Sequence, residues 1–195
     1  MAIRLGILGS TKGTDMLALI AAIQQQKLAA QIAIVISNKS DALILTHAKA
    51  HGLATQFVNP RLFTNKEEYD HQLSTLLKSY AVDIIVLIGY MRILSSHFVN
   101  EWQNKIINVH PSLLPDFAGG MDQNVHQAVL DAGRKETGCT VHRVTEEVDE
   151  GPILIQKKCP ILPTDTVESV KKRVQTLEGE ALIEVIQNWR SYESK

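Results

Sequence analysis

Between Ile3 and Val109 the sequence alternates short apolar, β-branched runs with stretches of helical period. Ile3–Leu8, Ile32–Ile36, Val82–Ile88 and Ile106–Val109 read as strands followed by helices, the pattern of a βαβ series and a mainly parallel sheet. The first helix is expected to open near Thr14 or Asp15, with Met16, Ile20 and Ile23 on its buried stripe. Asp41 and the box Thr64-Asn65-Lys66-Glu67 are read as the caps of the next two. Beyond Val109 the character changes. Thr137–Val144 and Pro152–Leu162 read as strands with only the acidic loop Thr145–Gly151 between them, which favours an antiparallel pairing. Asp165-Thr166-Val167-Glu168 caps a long final helix carrying Val170, Val174, Leu177, Ala181 and Trp189 toward the core. The expected architecture is a single α/β domain over residues 1–195, mostly parallel with an antiparallel C-terminal part and helices on both faces.

Composition narrows the partners. A net charge of −1 gives no general attraction for nucleic acid or an anionic membrane, so an anionic ligand must be held locally. The N-terminal stretch has one basic residue and a short apolar run, unlike a signal peptide, and no segment approaches the ~20 apolar residues of a membrane span. Cys139 and Cys159 lie in no metal-ligand spacing and suit reduced thiols, so the expected setting is the cytoplasm.

In such sheets ligands gather at the carboxyl ends of the parallel strands, which directs attention to the loops Gly9–Thr14, Gly89–Arg92, Asn108–Asp122 and Thr145–Gly151. Gly9-Ser10-Thr11-Lys12-Gly13-Thr14 leaves a strand and enters a helix, where backbone N–H groups and the helix dipole favour an anion. The same glycines suit close strand–helix packing, and the loop alone decides neither. It is not a Walker A loop, because Lys12 precedes the second glycine, and it lacks the G-x-G-x-x-G spacing of a dinucleotide site. Ser37-Asn38-Lys39 stands where an NAD site places an acid.

Asn108 and His110, at i and i+2, share one face at the end of a buried strand, and Pro111 takes the chain out of the sheet directly afterwards. A neutral amide beside an ionisable imidazole can steady an oxyanion and move a proton, as acyl transfer requires. An ordinary polar strand end has the same spacing. Asp149 could set the charge of His110, since a nearby carboxylate raises an imidazole pKa. No Gly-x-Ser-x-Gly elbow supplies a nucleophile and no H-E-x-x-H pair a metal site, so direct attack by a substrate amine without a metal is the simpler chemistry.

With these residues in place, the chain resembles the glycinamide ribonucleotide formyltransferase family over essentially its whole length. Asn108-Val109-His110-Pro111-Ser112-Leu113-Leu114-Pro115 is similar to the family's catalytic segment and Gly89-Tyr90-Met91-Arg92-Ile93-Leu94 to its pterin loop. Asp149-Glu150-Gly151-Pro152 matches its aspartate loop and Ser37-Asn38-Lys39 its second-strand turn. The resemblance implies a Rossmann-like formyltransferase fold, 10-formyltetrahydrofolate as co-substrate and glycinamide ribonucleotide as acceptor, in a monomer or homodimer. It implies that His110 is the general acid, that Asn108 holds the formyl oxygen and that Asp149 raises the His110 pKa. Gly13, Thr14 and Asp15, with Gln175 and Glu178, would hold the ribonucleotide. Lys66, Met91, Arg92, Ile93, Leu94, Asn108 and the run Thr145, Glu146, Glu147, Val148 and Asp149 would line the folate side. His142 matches a family histidine and is expected to be structural.

Three departures stand out. The first loop adds Lys12 and has Asp15 where the family has asparagine. The segment Asp116 to His126, a mobile lid in such enzymes, runs about two residues longer. Gly179 follows Glu178 where histidine is usual. Formyl-folate hydrolases, the nearest alternative, usually carry an extra regulatory domain and a second histidine where Pro111 stands. Methionyl-tRNA formyltransferases need a basic tRNA-binding domain.

Overall fold

The computed structural model describes residues 2–120 and 123–193. The chain divides into two compact units, Met1–Ile107 and Asn108–Lys195. In the first, β1 (Ile3–Gly9), β2 (Ala30–Ser37), β3 (Thr55–Phe57) and β4 (Ile84–Ile88) alternate with α1 (Thr14–Gln24), α2 (Leu43–Ala50), α3 (Lys66–Ser79) and α4 (Ser96–Glu101). The strands follow the order β3-β2-β1-β4, and every pairing among them is parallel. Leu5, Ile7, Leu8, Val35, Ile36, Ile84, Ile85 and Val86 have almost no exposure. Strands covered on both faces need unbroken apolar runs, which is why this part reads so plainly in the sequence. Each such side chain stabilises the fold by roughly 1.5–3 kcal/mol.

Strand β5 (Ile106–His110) carries the chain into the second unit, which continues with α5 (Gln123–Asp131), β6 (Glu136–Arg143), β7 (Ile153–Pro160), α6 (Val167–Gln187) and α7 (Trp189–Glu193). β6 and β7 pair antiparallel, as their direct connection requires, with a register shift at Val141/His142. α6 packs against both. The fold is therefore α/β, mostly parallel, with an antiparallel C-terminal pair.

Several local expectations shift. Asp41 does not cap α2, whose N-cap is Ala42 without a side-chain bond. Asn65 caps α3 by accepting from Glu68 N, and Glu68 Oε2 accepts in return from Thr64 N, so the box is offset from its predicted members. Thr166 and Ser169 form the capping box of α6. Ile23 and Leu177 are only half-buried, with Leu19 and Leu182 filling the core in α1 and α6. Trp189 is buried, but from α7. No described helix is long and apolar enough to cross a membrane.

Candidate active site

A cluster of two histidines, an asparagine and an aspartate lies in the second unit. Asn108 and His110 project from the end of β5, and His110 is 3% exposed. Its Nδ1 lies 3.3 Å from Asp149 Oδ2, and its Nε2 lies 3.1 Å from the carbonyl oxygen of Phe117. Asp149 also accepts from Gly119 N at 2.8 Å, and its Oδ1 lies 3.4 Å from His142 Nε2. That same His142 nitrogen is 3.2 Å from Asn108 Nδ2, while His142 Nδ1 meets Arg143 O at 2.9 Å. Asn108, His110, His142 and Asp149 thus form one continuous network in which the carboxylate lies between two imidazoles.

Asp149 is held there by its loop. Its φ is +59°, and Gly151 passes so close to β6 that a Cβ would sit 1.8 Å from Arg143 O. Burial alone would raise the Asp149 pKa, but the His142 ring when Nε2 carries a proton, the Gly119 N–H and the His110 ring hold it below the usual carboxylate range. For His110 the balance differs from the expected one. Burial pushes its pKa down, and this outweighs the opposing pull of Asp149 and of the Phe117 carbonyl. Asp149 raises the His110 pKa as expected, while desolvation of the charged ring is the larger effect and sets the net direction.

Thr145, Glu146, Glu147 and Val148 continue the same loop, the last three exposed, with Thr145 Oγ1 donating to Glu147 O at 3.2 Å. The segment after Pro115 covers the cluster with backbone: Phe117 O and Gly119 N engage His110 and Asp149. Arg134 holds this segment by pairing with Asp116 at 2.7 Å and lying over the Phe117 ring. No sequence signal points to these contacts, since they use main-chain atoms. Met121 and Asp122, within the extended lid segment, lie outside the described residues. On α6, Glu178 is buried and Gln175 half-buried.

The first unit carries the remaining predicted residues. Gly13 takes φ +73° at the start of α1, and a Cβ there would meet Ile44 at 2.4 Å, so only glycine lets the loop close onto α2. Ser10 Oγ donates to Asn38 Oδ1 at 2.5 Å and accepts from Met91 N at 2.8 Å. Its hydroxyl therefore ties this loop to the second-strand turn and to the Gly89–Leu94 segment. Thr14 is exposed and Asp15 buried in the first turn of α1. Lys66 Nζ reaches Leu94 O at 3.4 Å, and Arg92 lies 4.6 Å above the Tyr69 ring, a cation–π contact. Tyr69 meets Tyr90 hydroxyl to hydroxyl at 3.3 Å, and Asp70 accepts from Ser95 N at 2.6 Å. Ile93 is 63% exposed and Leu94 buried, so adjacent apolar residues of one segment face solvent and core. The aromatic support beneath Arg92 escapes a sequence reading because Tyr69 sits on a helix 23 positions away from it.

The family model described as formyl transferase matches residues 3–186. The chain belongs to the formyl transferase family. It is 42% identical over 175 residues to the phosphoribosylglycinamide formyltransferase of Haemophilus influenzae, covering 90% of this chain and 81% of that protein. The glycinamide ribonucleotide transformylase 1 of Symbiobacterium toebii superposes with a TM-score of 0.92 at 35% identity, over 99% of this chain and 89% of the other. The trifunctional purine biosynthetic protein adenosine-3 of Bos taurus is also 42% identical over 175 residues, 90% of this chain, but the chain spans only 17% of that protein's length.

Proposed function

We propose that this formyltransferase transfers the formyl group of 10-formyltetrahydrofolate to the primary amine of glycinamide ribonucleotide, as a cytoplasmic enzyme of purine biosynthesis working as a single domain. The observation that carries the reading is the Asn108–His142–Asp149–His110 network at the end of a buried strand. Relatives named for this reaction, one covered over four-fifths of its length, support it.

The amine nitrogen attacks the formyl carbon, and the carbonyl electrons move to the oxygen. Asn108 Nδ2 and protonated His110, through Nε2, donate to that oxyanion. His110 Nε2 is engaged by Phe117 O, so this contact has to give way for Nε2 to donate to the substrate. Asp149 stabilises the imidazolium through Nδ1 and, directly or through a water, takes the proton lost by the amine. Collapse of the tetrahedral intermediate breaks the bond to N10 of the folate, which receives a proton as tetrahydrofolate leaves. In the unit that carries this network, Gln175 and Glu178 of α6 hold the ribonucleotide. In the same unit the run from Thr145 to Asp149 holds the folate. Proximity supplies much of the rate, as expected when neither reactant is covalently bound to the enzyme.

The test is the absorbance change as a formyl-folate analogue loses its formyl group, with and without glycinamide ribonucleotide. Deformylation that requires the amine supports the transfer. Release at equal rate without it identifies a hydrolase, and tight folate binding without release identifies a binding protein; either result defeats the proposal.

A further inference from the structure

His142, 2% exposed on β6, has both ring nitrogens engaged, and the two contacts fix its tautomer. Nδ1 lies 2.9 Å from Arg143 O. A carbonyl oxygen only accepts, so Nδ1 carries the proton. In the neutral ring Nε2 is then a bare lone pair, with Asn108 Nδ2 at 3.2 Å and Asp149 Oδ1 at 3.4 Å. A lone pair attracts an amide N–H and repels both a carboxylate oxygen and an amide oxygen. The ring therefore selects one of the two orientations of the Asn108 side chain, the one with its NH2 toward β6.

We propose that His142 is a positioning residue: its Nδ1–H tautomer, set by Arg143 O, accepts one N–H of Asn108 and leaves the other aimed at the formyl oxygen. The proposal rests on Asn108 being the oxyanion donor described above. A proton on Nε2 would turn the ring to Asp149 Oδ1, and the Asn108 amide would have to reverse, presenting oxygen where a donor is needed. The histidine thereby links the carboxylate and the amide. A purely space-filling histidine would need neither a fixed tautomer nor Asn108 within reach.

Two substitutions separate these roles. In His142→Gln the longer side chain can place a carbonyl oxygen near the Nε2 position and still accept from Asn108. In His142→Asn the shorter one reaches only the Nδ1 position. With both variants shown to be folded by thermal melting, His142→Asn is expected to lose about tenfold to a hundredfold in kcat with little change in KM for the formyl-folate, and His142→Gln to recover most of it. Against an Asn108→Ala background, His142→Asn should cost less than about twofold more, because its effect runs through Asn108. Long-range proton–nitrogen correlation spectra of the imidazole in the unliganded protein should show Nδ1 protonated and Nε2 bare. Unchanged kcat in His142→Asn, a loss that adds in full to Asn108→Ala, or a protonated Nε2 in the resting protein would each overturn the proposal. Absence of turnover in the wild type would instead defeat the formyl-transfer reading, and the nitrogen spectrum would still judge His142.

Discussion

Two opposed causes set the charge of His110. Burial disfavours the imidazolium, and Asp149, 3.3 Å from Nδ1, favours it, with burial prevailing. If the protonated ring serves the oxyanion, kcat/KM falls as pH rises through the His110 pKa. Replacing Asp149 by Asn keeps the shape and removes the largest cause holding that pKa up, so the decline should move to lower pH. Turnover at neutral pH should drop about a hundredfold, within the range for a misplaced general acid. A pH–rate profile of Asp149→Asn measures this, and a decline at or above the wild-type position would contradict it. His110→Ala should fold with an unchanged circular dichroism spectrum and lose about 10²–10⁴ in kcat, because both the proton and one oxyanion donor are gone. Wild-type activity in that variant would remove His110 from the chemistry.

At the scale of elements, the β6–β7 connection decides where Asp149 stands. Gly151 leaves no room for a side chain, and the atom in the way is the backbone oxygen of Arg143 rather than a side chain that could swing aside. Gly151→Ala should therefore destabilise the protein by at least about 2 kcal/mol and impair turnover together. Gly52→Ala is the useful contrast: its φ of +71° costs about 1–2 kcal/mol, but a Cβ there meets nothing within 4 Å, and catalysis should be untouched. Urea midpoints alongside kcat separate the two. The same contrast between core and periphery explains what the sequence discloses. β1, β2, β4 and β5 read from their apolar runs because their residues are buried. β3 escapes because Thr55-Gln56-Phe57 is short, largely exposed and held by pairing with β2, a non-local cause. Asn108 and His110 are legible because period-two geometry puts them on one face. The contact of His142 with Asn108 is not legible, since pairing across the chain brings its ring there. Phe117 and Gly119 act through main-chain atoms that no residue type encodes.

For the whole molecule, the cluster makes stability depend on pH in two consecutive windows. An unfolded histidine titrates near about 6.5 and an unfolded aspartate near about 3.9. The folded His110 pKa lies below its ordinary value, so as pH falls through about 6.5 the unfolded chain binds this proton before the folded one does. Stability therefore declines on acidification until pH passes the folded value, below which this contribution is constant. The folded Asp149 pKa is also depressed, so its stabilising contribution is complete above about 3.9 and is lost as pH falls through the folded value. Both groups thus act against the folded state in acid, His110 first. The urea midpoint followed from about pH 8 to about pH 5 should fall less steeply in His110→Asn than in the wild type, the difference isolating this residue among seven histidines. Equal slopes would mean that burial does not govern the His110 charge. If the slopes do differ, folding favours the neutral ring while the proposed chemistry needs the charged one. The proton required for turnover would then have to be favoured by the developing oxyanion itself, placing the stabilisation in the transition state rather than in the resting enzyme.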